Sequence, residues 1–183
     1  MLSGGASSRM NSDKGSKIYH QKPQFEYLYE LLVPYCNQVF ISGRKKIDYQ
    51  LPVIHDNPKF ENYGPLAGLL SAFEKQPTTW LVLAVDYPMI GTVDIIHLIN
   101  TYDITYDGAV YFDFEKQFFE PFLGIYSPKL LKYILNHAAQ YHFSAQKILF
   151  HEIIQKVKPL HENSLLNINT EEAYKAFIRN GIK

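Results

Sequence analysis

Trp80-Leu81-Val82-Leu83-Ala84-Val85-Asp86 is an unbroken apolar run that ends in a carboxylate. Apolar residues without alternation bury both faces of a strand, as happens in a parallel sheet covered by helices on either side. Outward from this run, apolar segments of strand length recur at 38–42, 53–55, 109–112, 122–126 and 157–160. Helical patterns fall at 24–35, 66–75, 93–102, 128–137, 145–155 and 170–180. Strand and helix alternate through roughly the first hundred residues, which predicts an α/β, three-layer, Rossmann-like fold with a mostly parallel central sheet. Ligands of such sheets bind beyond the carboxyl ends of the strands, where Asp86 falls.

A chain of 183 residues lies in the size range of one domain, so 1–183 is expected to fold around a single core. Eighteen basic and eighteen acidic side chains cancel, leaving no global field to draw the protein onto nucleic acid or an anionic membrane. Any anion site must therefore be local. Cys36 is the only cysteine, which excludes an internal disulfide and multi-cysteine metal cages and fits a reducing compartment. Met1-Leu2-Ser3-Gly4-Gly5 lacks the cationic lead and apolar core of a signal peptide, and no later apolar run is long enough to span a bilayer. A cytoplasmic protein is expected. Aromatic residues make up 15% of the chain but are spread along it, which favours packing over a stacking platform for nucleic acid. His137 and His142 lack a His-Glu-x-x-His pattern and are read as surface or packing residues.

Small residues crowd the N-terminus in Leu2-Ser3-Gly4-Gly5-Ala6-Ser7-Ser8-Arg9-Met10, followed by Asp13-Lys14. Gly4 and Gly5 can take positive φ and expose successive amides. Such amides form a concave donor surface for phosphate oxygens, and Arg9 and Lys14 add charge to neutralise a polyphosphate. The spacing is not that of the Walker P-loop. A glycine pair alone would equally describe a flexible tail; Arg9, Asp13 and Lys14 favour a phosphate loop. Asp86 precedes Tyr87-Pro88, so its carboxylate projects at the sheet's carboxyl edge. There it either holds Mg²⁺ bridging phosphates or serves as an ordinary turn residue. Tyr63-Gly64-Pro65-Leu66-Ala67-Gly68 is a turn into a helix with small early residues, open both to ligand approach and to plain close packing. Thr170 before Glu171 and Glu172 suits a helix start, and Asn167 and Asn169 just ahead of it read as turn and capping residues.

Four motifs in this order resemble the molybdenum cofactor guanylyltransferases, a branch of the nucleotidyltransferases. They are Leu2-Ser3-Gly4-Gly5 through Arg9-Met10 to Asp13-Lys14, then Gly64-Pro65-Leu66-Ala67-Gly68, then Val85-Asp86-Tyr87-Pro88, and Asn167-Ile168-Asn169-Thr170-Glu171-Glu172. The resemblance covers nearly the whole chain. It implies a nucleotidyltransferase fold and a Mg²⁺-dependent enzyme that transfers GMP from GTP to the terminal phosphate of molybdopterin, releasing pyrophosphate. It gives catalytic roles to Arg9, Lys14 and Asp86. It places Leu2, Ser3, Gly4, Gly5, Lys14, Asp56 and Asp86 on the nucleotide, Asp86 on Mg²⁺ as well, and Asn167 and Asn169 on the metal site or the pterin. Gly4-Gly5 leans toward guanine, because cytidylyltransferase relatives carry Ala-Gly at that pair. The implied partners are GTP and molybdopterin, with transient contact to proteins that deliver or accept the cofactor, and neither nucleic acid nor membrane. Glu120-Pro121 lies where the family receives the pterin, through a loose match that assigns it no chemical role.

Only Met1 precedes Leu2, where the family has several apolar residues. A central strand is therefore expected to be shortened or lost, either because the true start lies upstream or because the fold copes with a stub. Asn11 stands where the family usually has glycine, and Ile41-Ser42-Gly43 replaces an asparagine-containing stretch that helps read the base. Two further readings stay open: the same reaction with CTP or a sugar phosphate, and a non-catalytic nucleotide or cofactor carrier.

Overall fold

In the computed structural model, the described residues are 1–3, 14–43 and 50–180. Strand β1 (Ile41–Gly43) pairs in parallel with β2 (Val53–His55). A second set, β3 (Trp80–Leu83), β4 (Gly108–Asp113), β5 (Phe118–Tyr126) and β6 (Ile154–Val157), pairs in the order β3-β5-β4-β6. Residues 1–3 lie between the two sets. Ser42 N–H donates to Met1 O and Ser3 N–H to Ser42 O on one side, while Leu2 N–H donates to Leu83 O and Val85 N–H to Leu2 O on the other. Leu2 bridges Ser42 and Ala84, both in parallel. The result is one surface ordered β2, β1, 1–3, β3, β5, β4, β6, in which β5 alone runs against its neighbours. The expected mostly parallel sheet is present, and the first strand is a stub that still pairs on both sides.

Alternation along the strands separates two apolar layers, because successive side chains point to opposite faces. Val82, Val110, Phe112, Phe119 and Tyr126 pack with helices α2 (Leu66–Lys75), α4 (Pro128–His137) and α5 (Ala145–His151). Leu83, Ala109, Tyr111, Leu123 and Ile125 pack with α1 (Gln24–Leu32) and α3 (Thr92–Thr101). This is the three-layer arrangement expected from the unbroken run at 80–85.

Some boundaries differ from the expected ones for identifiable reasons. The helix expected over 24–35 ends at Leu32, and Val33–Tyr35 tightens into a 3₁₀ turn around Pro34, whose ring cannot continue the α-helix. The helix expected over 145–155 stops at His151, and the strand expected over 157–160 lies at Ile154–Val157, paired with Gly108–Tyr111. Tertiary pairing decides the register there, since Ile154 and Val157 are buried and Pro159 cannot donate to a ladder. Strand β5 starts at Phe118, four residues before the expected 122–126, despite Pro121. The proline is accommodated because the β4–β5 register jumps from Val110↔Gly124 to Phe112↔Phe119, bulging the intervening part of β5 out of the ladder. The sixth helix, α6 (Glu171–Asn180), is capped as expected by Thr170, whose Oγ1 accepts from Ala173 N–H at 3.1 Å.

Gly68 explains the small residues at the start of α2. A Cβ there would stand 2.6 Å from Ser42 Oγ and 3.0 Å from Leu2 Cδ2, so α2 lies directly against the stub and β1. Ser42 cannot yield freely, because it is buried and its hydroxyl donates to Asp56 Oδ1 at 2.9 Å. Gly68→Ala is expected to cost about 1–3 kcal/mol of stability through overpacking, read as a lower urea midpoint at unchanged slope.

Candidate functional site

Because 1–3, β1, β2 and β3 run in the same direction, their carboxyl ends share one edge. Asp56 follows β2, Ser3 ends the stub, and Asp86 follows the run through β3. The antiparallel β5 brings its amino end to the same edge, with Leu83 opposite Leu123 and Ala84 N–H donating to Phe122 O. The bulge in β5 turns Glu120 toward Tyr87, whose hydroxyl donates to Glu120 Oε2 at 2.6 Å.

Lys14 opens a 3₁₀ turn, Lys14–Ser16, and reaches over this edge. Its Nζ lies 3.4 Å from Asp86 Oδ2 and also donates to Asn169 Oδ1. The other oxygen of Asp86, Oδ1, is buried and has no hydrogen-bond partner, and the same holds for Asn167 Oδ1. A buried acceptor without a donor is costly, so both atoms mark places where a ligand group can repay that cost. The 167–169 segment is fixed from two sides. Ile168 N–H donates to Asp86 O at 2.8 Å, and the buried Ser164 hydroxyl donates to Asp94 Oδ1 at 2.8 Å. Asp94 is itself buried and accepts from Gly91 N–H at the start of α3. Downstream, α6 grips the segment after Lys14: Lys17 pairs with Glu171 at 2.6 Å, and Tyr19 packs edge-on against Tyr174 and Phe177.

Of the residues singled out from the sequence, the fold thus assembles Lys14, Asp86 and Asn169 directly, with Asn167 beside them. Asp56 stands at the same edge, bound to Ser42. The N–H groups of Leu2 and Ser3 are used within the sheet. Gly4, Gly5 and Arg9 lie outside the described residues. His137 packs on Tyr133, with ring centroids 4.3 Å apart, as a packing histidine.

Sequence reading missed Tyr87 and gave Glu120 no role, yet both line a cleft of about 460 Å³ together with Pro65, Phe118, Phe122, Phe143, Asn167 and Asn169. No local pattern announces a hydrogen bond between residues so far apart in sequence. Burial raises the Glu120 carboxyl above its ordinary 4.5, against the lowering effect of the Tyr87 hydrogen bond. Burial, then the Glu120 charge, also raise the Tyr87 hydroxyl, so it stays protonated and donating at neutral pH.

Residues 1–157 match the family model described as MobA-like NTP transferase domain. A Synechocystis protein named molybdenum cofactor biosynthesis bifunctional protein is 32% identical over 95% of the chain, and the match spans 51% of that longer relative. A Flavobacterium johnsoniae protein named probable molybdenum cofactor guanylyltransferase is 30% identical, covering 95% of this chain and 86% of the relative. Among solved structures, molybdopterin-guanine dinucleotide biosynthesis protein A from Archaeoglobus fulgidus shares the fold at a TM-score of 0.75 and 20% identity, covering 96% of this chain and 93% of that one.

The raised carboxyl gives a pH prediction. A folded-state value above the unfolded one favours the protonated form, so this contribution to stability is complete below the unfolded value and is lost as pH rises through the folded value. Glu120→Gln removes that loss. Its melting temperature is expected to gain on the native protein as pH rises above the ordinary carboxyl value of 4.5, and a flat or falling difference would contradict the burial argument.

Proposed function

The chain belongs to the family of MobA-like NTP transferase domains, and on that premise we propose that it transfers GMP from GTP to the terminal phosphate of molybdopterin, with Mg²⁺, releasing pyrophosphate. The observation that carries this reading is the meeting of Lys14, Asp86 and Asn169 at the carboxyl edge of the sheet, beside a cleft large enough for a second substrate.

The attacking phosphate is already ionised, so the reaction needs alignment and charge neutralisation more than a covalent nucleophile. Lys14 exchanges Asp86 and Asn169 for phosphate oxygens when the nucleotide enters, placing its ammonium where negative charge builds on the leaving pyrophosphate. Arg9 and the amides of Gly4 and Gly5 add to that neutralisation. Asp56 contributes a further nucleotide contact, held in place by Ser42. Asp86 suits a divalent cation, because its buried Oδ1 has no hydrogen-bond partner and its Oδ2 lies beside Lys14 Nζ. Asp86 would hold Mg²⁺ there, and the cation would supply positive charge that offsets charge on the leaving group. Among the described residues no three His, Cys, Asp or Glu side chains cluster. The lean to guanine rests on Gly4-Gly5. Among the described residues no helix is long and apolar enough to cross a membrane, and we place the reaction in the cytoplasm.

The test is product formation from GTP, Mg²⁺ and molybdopterin. Guanine dinucleotide and pyrophosphate are expected in equal amounts. Lys14→Ala and Asp86→Asn are each expected to lower kcat/KM by roughly 10²–10³-fold while leaving the melting temperature near that of the native protein. Native rates in both variants, or no dinucleotide from the native protein, would overturn the proposal.

A further inference from the structure

Helix α6 stands outside both apolar layers. Of residues 171–179, Glu171, Tyr174 and Phe177 are half-buried and the rest exposed, and none belongs to either layer. These three recur at every third position, so they share one face of the helix. That face lies on residues 17–19. Lys17 Nζ is 2.6 Å from Glu171 Oε2 and 4.5 Å from the centre of the Tyr174 ring. The Tyr174 hydroxyl donates to Ile18 O at 3.2 Å, and the buried Tyr19 ring meets Tyr174 and Phe177 edge-on.

The grip reaches Lys14 through the backbone. Lys17 N–H donates to Lys14 O at 3.2 Å, closing the 3₁₀ turn, and Lys17 O accepts from Gln24 N–H at 2.9 Å at the start of α1. Side chains three apart in a 3₁₀ turn eclipse one another, so Lys14 and Lys17 project to the same side. Both meet the segment that enters α6, Lys14 on Asn169 Oδ1 and Lys17 on Glu171. The Glu171 side chain is 35% exposed, and an ion pair that open to water adds little to stability. Its effect is on where the turn sits.

Resting on the transferase reading above, we infer that Lys17 and Glu171, backed by Tyr174, are positioning residues for nucleotide transfer. They hold the 14–17 turn against α6, so that the Lys14 ammonium stays at the carboxyl edge when it exchanges Asn169 and Asp86 for phosphate oxygens. Neither residue touches the nucleotide; the charge of Lys17 is taken up by Glu171, and the pair persists while Lys14 changes partners. A lysine stem is long and flexible, and fixing its root leaves fewer arrangements to lose when the ammonium meets charge on the leaving group.

The test measures GMP transfer, and affinity for GTP and for CTP with Mg²⁺, on the full chain, since Lys14 acts on phosphates whichever base is bound. Lys17→Met, which keeps the stem and removes the charge, and Glu171→Gln are each expected to lower kcat/KM and nucleotide affinity about tenfold, at melting temperatures near the native one. Lys17→Arg, which keeps the charge, is expected to stay near the native values. Glu171→Gln gives the sharpest sign: removing a negative charge beside a polyphosphate site strengthens binding by charge alone, whereas loss of the clamp weakens it. In a Lys14→Ala background, Lys17→Met is expected to cost nothing further, because it acts through Lys14. The same fold-loss in both backgrounds, tighter binding in Glu171→Gln, or native behaviour in Lys17→Met would overturn the inference. The expected affinity pattern without any GMP transfer by the native protein would support the clamp and count against the transferase reading alone; a native protein that binds neither nucleotide would overturn both.

Discussion

The structure depends on the insertion of residues 1–3 between two groups of strands. Leu2 takes backbone hydrogen bonds from the β3 side while Met1 and Ser3 take them from β1. Without the tripeptide, β1 and β3 would each present an open edge, a costly and association-prone arrangement. With it, the strand ends that carry Asp56 and Asp86 are held a fixed distance apart, with Ser3 between them. Gly68 completes the same constraint from above, since only a residue without a Cβ lets α2 close onto Ser42 and Leu2.

That arrangement separates stability from chemistry. The two apolar layers lie on the faces of the sheet, whereas the polar groups gather at one edge and are held by loops and hydrogen bonds. Ser164 on Asp94, Ile168 on Asp86 and Lys17 on Glu171 tie the 162–171 segment to three different parts of the molecule. Of the three buried side-chain acceptors without a hydrogen-bond partner among the described residues, Asn167 Oδ1 belongs to a residue that lines the cleft and Asp86 Oδ1 to the carboxyl edge, whereas Gln24 Oε1 lies at the start of α1. Lys14 and Asp86 pair with each other, and an incoming polyanion would compete with Asp86 for the lysine.

Much of this fold was legible because burial leaves a local trace. The unbroken run at 80–85 announces a strand covered on both faces, and the apolar spacing of 66–75 and 128–137 gives helices at the observed bounds. The amino end of β5 was not legible, because Pro121 argues against a strand and only the register jump opposite β4 accommodates it. Strand β6 was misplaced because its position is decided by pairing with Gly108–Tyr111, which nothing within 145–160 encodes. For the site, Lys14, Asp86 and Asn169 could be grouped through family resemblance, whereas Tyr87 and Glu120 meet only through the bulge. Their hydrogen bond spans 33 positions and leaves no local pattern.

The central claim is that the carboxyl edge around Lys14 and Asp86 binds a guanine nucleotide with its metal. Melting temperature measured with GTP, CTP, ATP and UTP, each with and without Mg²⁺, tests it most directly, because a ligand that prefers the native state stabilises it by about 2.7 kcal/mol at a hundred times its Kd. The account predicts an upward shift that is largest with GTP and grows with Mg²⁺. No shift with any of the four nucleotides would contradict it.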